Sequence, residues 1–261
     1  MLNTLVKLLF SPIFLLKNWP VVYKDLFKLI RKDKESFNLR NGIKLFFTPN
    51  LREFFVIDEI WRRNIYSPNA RFKIHSKDTI VDIGAHKGYF TVYAAKKAYK
   101  GTVHAFEPFA QNFAFLKKNC ETNKCKNVVL ENIAVSNTSK KQTFYSSEQI
   151  TVGGSLLHTK YTNTKIFKKD VISCTTLKNI INETTHKRIN LLKSDCEGAE
   201  YLILLNLDRK SLNKIDKMSI EYHNIGGHRV DEIDNFLREN GFKTEIKPEG
   251  SVIGMLYAYR S

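Results

Sequence analysis

The stretch whose reading decides the fold is TIVDIGAHKGYF, residues Thr79–Phe90. Ile80, Val81 and Ile83 form a short apolar run of β-prone residues, which reads as a buried strand with Asp82 near its end. Gly84 and Gly88 then bracket a tight turn, and Phe90 to Tyr99 reads as helix. Such a turn brings bare backbone amides and a helix N-terminus close to a ligand. Spacing excludes two ligand classes. A dinucleotide site wants G-x-G-x-x-G, and the matching positions hold His86 and Tyr89. A phosphate loop wants Gly-Lys-Ser/Thr after the second glycine, and that is absent. What remains is D-x-G-x-x-x-G followed, one strand later, by an acid in Phe106-Glu107-Pro108. The bland alternative is a structural strand-to-helix turn that binds nothing.

Outward from that stretch, strand and helix alternate as a parallel, doubly wound sheet requires. Strands are expected at Ile80–Ile83, Thr102–Phe106 and Val128–Asn132, with helices from Tyr89 and from Phe109 to about Asn119. Gln142–Tyr145 and Val171–Cys174 read as strands, and Thr175 or Thr176 caps a helix through Ile181. Ile189–Asp195 gives a fourth core strand and Lys217–Tyr222 a fifth, ending at Glu221 with His223 just beyond. Val230–Glu239 is amphipathic and stops at Asn240-Gly241. Phe242–Ile246 and Val252–Tyr259 read as a closing pair across Pro248-Glu249-Gly250. Ser146–Lys169 is polar and long for a plain connection, so it reads as a lid over the site.

The region before this unit differs in composition. Residues 2–16 are largely apolar, but a helix of that length spans about 22 Å, short of a roughly 30 Å hydrocarbon core, and Pro12 kinks it. No basic segment precedes the run and no small-residue cleavage site follows, which argues against a signal peptide. Trp19, Tyr23, Lys24, Lys28, Arg31, Lys32 and Lys34 follow. Apolar, aromatic and basic residues in that order suit a helix lying on a membrane surface, or an arm packed on the domain or on a second copy. Asn41-Gly42 between two β-prone runs predicts a hairpin, and Leu51–Tyr66 a helix whose apolar side caps the site. The expected organisation is a helical arm (1–35), a hairpin-and-helix cap (36–76) and a catalytic domain (77–261).

With 261 residues the chain can bury one substantial α/β core. Its net charge of +16 admits an anionic partner, but the lysines are scattered rather than gathered in one run. Cys120, Cys125, Cys174 and Cys196 show neither C-x-x-C nor zinc-finger spacing, so reduced structural thiols in a cytoplasmic compartment are expected, peripheral at the inner membrane face if the arm binds lipid.

VDIGAHKGYF, HAFEPFAQN, ENIAVSN, Thr176-Leu177, LLKSDCEGAEYLIL and SIEYH occur in that order. From about Asp78 to His223 the chain resembles FkbM-type methyltransferases, a group of class I enzymes that use S-adenosylmethionine. The resemblance implies a Rossmann-like α/β fold: a seven-stranded sheet with helices on both faces, here preceded by the helical and hairpin extension. It implies cofactor contacts from Asp82, Gly84, Ala85, Gly88, Glu107, Pro108 and Asn132, with Glu107 accepting both ribose hydroxyls. Lys178 and Cys196 stand where the family often has Asp and Val. The implied reaction is O-methylation of a sugar, glycan or other small-molecule hydroxyl by in-line displacement.

Ligands of open α/β sheets lie beyond the strands' carboxyl ends, where Asp195, Glu221 and His223 are the candidates to act on the acceptor hydroxyl, with Glu197 and His86 nearby. Two carboxylates and a histidine also admit a divalent cation, though no cluster has dedicated ligand spacing and the metal-free reading is preferred. Methylation of RNA ribose and cofactor binding without catalysis stay as alternatives. The first needs a basic groove beside Asp195. Nucleic acid is otherwise not expected as a partner, and oligomerisation is left open.

Overall fold

Period-two alternation sends the residues of each core strand to two different hydrophobic layers. Ile80, Val103, Ala105 and Leu191 belong to one, while Val81, Ile83, Leu192, Met218 and Ile220 belong to the other. Strands buried on both faces must lie inside a sheet covered by helices on both sides. The computed structural model describes residues 11–27, 29, 35–49, 51–146, 156, 168–183 and 188–260.

Helix α1 (Pro20–Leu26) precedes a hairpin of β1 (Ser36–Asn38) and β2 (Lys44–Phe46), and α2 (Leu51–Asp58) continues into a wider π turn at Glu59–Arg63. The helix expected to reach Tyr66 stops at Asn64, which takes a left-handed conformation at φ 53°. The core then runs β3 (Thr79–Ile83), α3 (Tyr89–Lys97), β4 (Thr102–Phe106), α4 (Ala110–Thr122) and β5 (Val128–Glu131). β6 (Ala134–Ser136), β7 (Gln142–Ser146), β8 (Lys168–Ile172), β9 (Cys174–Thr176) and α5 (Leu177–Glu183) follow. The chain returns to the sheet with β10 (Leu191–Ser194), α6 (Glu200–Leu204), α7 (Arg209–Leu212) and β11 (Lys217–His223), and closes with α8 (Val230–Glu239), β12 (Lys243–Pro248) and β13 (Ile253–Tyr259).

The seven strands lie in the order β12-β13-β11-β10-β3-β4-β5. β13 is antiparallel to both neighbours, and the pairs from β11 through β5 are parallel. This is the expected sheet, with the order reversing at β3, where a crevice opens beyond the strand ends. Val171–Cys174 is not one strand. It breaks at Ser173, because β8 pairs antiparallel with β7 while β9 pairs parallel with β6. The proposed lid falls mostly outside the described residues; Leu156 is described, and it lines the cleft discussed below.

The described part of the N-terminal arm packs on the domain. Leu16, Val21 and Val22 are buried, Leu16 bridges to Leu39, and Arg40 donates through Nε and Nη2 to the Ile13 carbonyl. Residues 1–10 lie outside the described residues. Among those described, no helix is long and apolar enough to cross a membrane.

Candidate active site

The carboxyl ends of β3, β4 and β10, with the turns that follow, wall a cleft open to solvent. Val56, Ile60 and Tyr66 of the cap region complete the wall.

The glycines are required first by packing. Gly84 has φ +71°, and a Cβ on it would lie 1.8 Å from the Asp195 carbonyl oxygen, so only glycine lets the turn after β3 meet the end of β10. Gly88, at φ +81°, would put a Cβ 2.5 Å from Leu116 Cδ1, and so sets the approach of α4. Gly84 and Ala85 line the cleft; Gly88 does not. Their amides are already used in part, since the N–H groups of both Gly84 and Ala85 donate to the Phe106 carbonyl.

Asp82 is fully buried beneath this turn and off the cleft wall. Its Oδ2 accepts from Thr91 Oγ1 at 2.6 Å, and its Oδ1 stands 3.2 Å from Lys193 Nζ. The pair follows from register, because Asp82 and Lys193 are direct partners in the parallel β3–β10 ladder. Lys193 Nζ also donates to the Gly84 carbonyl at 2.6 Å and the Ile83 carbonyl at 3.3 Å. Burial opposes its charge, but Asp82 and Asp195 outweigh burial and hold the ammonium up at about 12. Asp82 thus braces the turn through Lys193 rather than touching the cleft. Sequence reading missed Lys193, although a lysine inside the apolar run INLLKSD was a visible signal.

Glu107 closes β4 on the cleft wall with Pro108 beside it. Its carboxylate accepts from the amides of His86 (2.8 Å) and Phe109 (3.0 Å), and burial still pushes its carboxyl up to about 7. Asn132 is off the wall; its amide donates to the carbonyls of Glu107 and Pro108 and so shapes the turn that carries the acid. His86 lines the cleft at φ 51°, burial pulls its imidazole down to about 4, and its buried Nε2 has no hydrogen-bond partner. The cap region grips the same turn from behind. Fully buried Lys87 forms an ion pair with Glu53 of α2, which also accepts from Tyr89 Oη at 2.7 Å.

At the other side of the turn, Asp195 lines the cleft and Tyr66 Oη lies 3.3 Å from its carboxylate and 3.1 Å from that of Glu221. Burial and the Asp195 charge push the Glu221 carboxyl well above the usual carboxylate range. Glu221 therefore reaches the cleft through Tyr66, which sequence gave no means of finding.

The structure places His223 behind the cleft wall. It is the last residue of β11, buried and absent from the cleft wall. Nδ1 lies 3.0 Å from Glu200 and Nε2 3.5 Å from Glu197. Burial alone would lower its pKa, but Glu200 and Glu197 push it up to about 10. Its two ring nitrogens thus face Glu200 and Glu197, and neither faces the cleft. Glu200 also accepts from the Cys196 amide at 2.9 Å, and Glu197, pushed up to about 7 by burial, lines the cleft at φ 51°. Asp195, Glu197 and His223 bring ligand atoms within 4.8 Å of one another, a composition that can hold a cation.

These residues fit an adenosyl-sulfonium cofactor. The cleft offers an acid at the end of β4 for a ribose diol, an orphaned buried imidazole nitrogen in the glycine turn, and apolar side chains such as Phe109, Val135 and Phe144 for a base. The comparisons agree. The model of the family described as Methyltransferase FkbM domain matches residues 82–244. The chain is 26% identical over 233 residues to 31-O-demethyl-FK506 methyltransferase FkbM of Streptomyces tacrolimicus, covering 80% of this chain and 88% of that protein. It is 25% identical to AMB antimetabolite synthetase AmbE of Pseudomonas aeruginosa over 82% of this chain, but spans only 11% of that protein's length. Among solved structures, M. capricolum TrmK in complex with S-adenosyl-homocysteine is a distant likeness, with TM-score 0.45, 11% identity, and coverage of 77% of this chain and 67% of that one. With the family matched over most of its sheet and a cleft suited to the cofactor, this chain belongs to the FkbM methyltransferase family and carries an S-adenosylmethionine-dependent methyltransferase domain.

Proposed function

We propose that the protein O-methylates a hydroxyl of a sugar, glycan or other small molecule, with Asp195 as the group that takes the hydroxyl proton. The observation that supports this most directly is the position of Asp195: a carboxylate on the cleft wall, against the glycine turn, with Tyr66 and Lys193 around it. When bound, S-adenosylmethionine supplies an electrophilic methyl group on a sulfonium. Glu107 accepts the ribose hydroxyls, and Ala85 and His86 line the adjoining wall. Asp82, Gly88 and Asn132 act from behind it by holding the turns in place. Tyr66 orients Asp195 and joins it to Glu221. Displacement from a sulfonium needs alignment and exclusion of water, and the cap residues Val56 and Ile60 contribute both.

Ribose methylation on RNA is less well supported, because Lys193 is the only lysine or arginine on the cleft wall among the described residues, and it is buried and paired. The reading is metal-free. Turnover should survive chelator, while loss on chelation and recovery with a divalent cation would assign Asp195, Glu197 and His223 to a metal instead. The deciding assay offers labelled cofactor with glycan, lipid-linked sugar and RNA pools and identifies the methylated product by mass. On the acceptor found, Asp195→Asn should lower kcat by roughly a hundredfold or more with cofactor affinity little changed. An unchanged kcat would leave Asp195 a structural residue.

A further inference from the structure

Helices α3 and α4 both begin at the cleft, and both end at a second concavity. At 1.5 Å per residue, nine and thirteen residues carry them roughly 13 and 20 Å away, to the opposite edge of the sheet. There the helix ends and the β1–β2 turn border a groove open to solvent.

The groove is lined by hydrogen-bond donors. Lys73, Lys96, Lys97 and Lys124 border it, and none of the residues lining it is acidic. Three asparagines in its wall are oriented by groups that donate to their side-chain oxygens: Asn41 accepts from the Ile43 amide, Asn69 from the Arg71 amide, and Asn64 from Tyr93 Oη. Their amide nitrogens are left to donate. Lys96 is engaged by the Asn123 carbonyl and Lys97 lies over the Tyr93 ring, but Lys73 and Lys124 are exposed at the rim. A surface of ammonium and N–H donors with no carboxylate matches a ligand made of acceptor oxygens and negative charge, which is the chemistry of phosphate.

The neighbouring element narrows the source. Asn41 and Gly42 form the tip of the hairpin whose adjoining residues, Asn38 to Arg40, hold the arm: Lys17 N donates to Asn38 O, and Arg40 N to Leu15 O. That arm exposes large apolar side chains, with Phe14 at 73%, Phe27 at 68%, Leu29 at 68% and Trp19 at 37% exposure. Free phosphate or nucleic acid gives such side chains nothing to enter. A lipid surface does, because it offers phosphate oxygens above and hydrocarbon below.

We propose that this groove and the adjoining arm dock the protein on anionic phospholipid headgroups, leaving the methyl-transfer cleft at the other sheet edge. The test is flotation of the full chain with vesicles of phosphatidylcholine, alone and with added phosphatidylglycerol. The protein should float only with the anionic vesicles, and less as salt rises. Combining Lys73→Glu, Lys97→Glu and Lys124→Glu should weaken vesicle binding roughly a hundredfold or more, at about fivefold per lysine removed. The three side chains are exposed, so the far-ultraviolet circular dichroism and melting temperature should match the parent. As a second variant, Phe14→Ser should reduce flotation while leaving its salt dependence unchanged. Failure of the full chain to float with anionic vesicles overturns the proposal, and so does a triple variant that floats like the parent. Retention by RNA without flotation would overturn it in favour of a nucleic-acid surface. Since the readout is vesicle binding, its outcome is separate from that of the acceptor assay.

Discussion

Lys193 allows the sharpest test of how the cofactor turn is held. Replacing it with Met keeps most of the volume and removes the ammonium that faces Asp82 Oδ1 at 3.2 Å and bonds the carbonyls of Gly84 and Ile83. Asp82 has no exposed surface, and its remaining bond is the one from Thr91. Leaving one partner of a buried ion pair unpaired costs about 3–5 kcal/mol. Asp82→Asn should cost less, about 1.5–3 kcal/mol, because Lys193 keeps its two carbonyls and the nearby Asp195. In the double variant the unpaired charge is gone and only neutral bonds are lost, so its cost should fall at least about 2 kcal/mol short of the sum of the two singles. Urea unfolding followed by tryptophan fluorescence reads all four corners of the cycle. Calorimetry with S-adenosylhomocysteine should show affinity falling in the double variant as well as in Lys193→Met, because in both the Gly84 carbonyl has lost its donor. Additive costs to within about 0.5 kcal/mol, or a Lys193→Met protein within about 1 kcal/mol of the parent, would refute the idea that this pair braces the turn.

Glu107 should make cofactor binding depend on pH: with its carboxyl up at about 7, affinity for S-adenosylhomocysteine should fall as the solution is acidified below neutrality, and Glu107→Gln should bind roughly ten- to a hundredfold more weakly with that dependence lost. His223 works in the opposite direction on stability. Its folded pKa of about 10 lies above the ordinary 6.5, so its contribution is whole below pH 6.5, declines above it and is lost as pH passes 10. The melting temperature of the parent should therefore drop more steeply from pH 7 to 10 than that of His223→Gln, and parallel curves would remove the charged His223–Glu200 pair from the account.

Most of the sheet was legible because its signals are local. Apolar β-prone runs bounded by glycine mark the strands whatever else surrounds them, and D-x-G-x-x-x-G with an acid after the next strand needs only two neighbouring βα units to make sense. The strand expected across Val171–Cys174 failed for a non-local reason. Ser173 stands where the chain passes from β7 as partner to β6, and nothing in the local pattern records which strand lies alongside.

The site divides the same way. Sequence by itself determined the class of fold, the glycine turn, the acid that closes β4 and the acids that gather after β10 and β11, because each is carried by residues adjacent in the chain. Tertiary structure alone decided what those residues do. Register set Lys193 opposite Asp82, turning a motif aspartate into a brace beneath the turn. Folding of the cap brought Tyr66 to Asp195 and Glu221, and Glu53 to Lys87, across separations that no local pattern encodes. The placement of Glu200 and Glu197 around His223 surrounds the expected base with two carboxylates and raises its pKa. Charge state inside a protein depends on distance and burial, both set by contacts between segments remote in sequence, so identity can be read from the chain but protonation must be read from the fold.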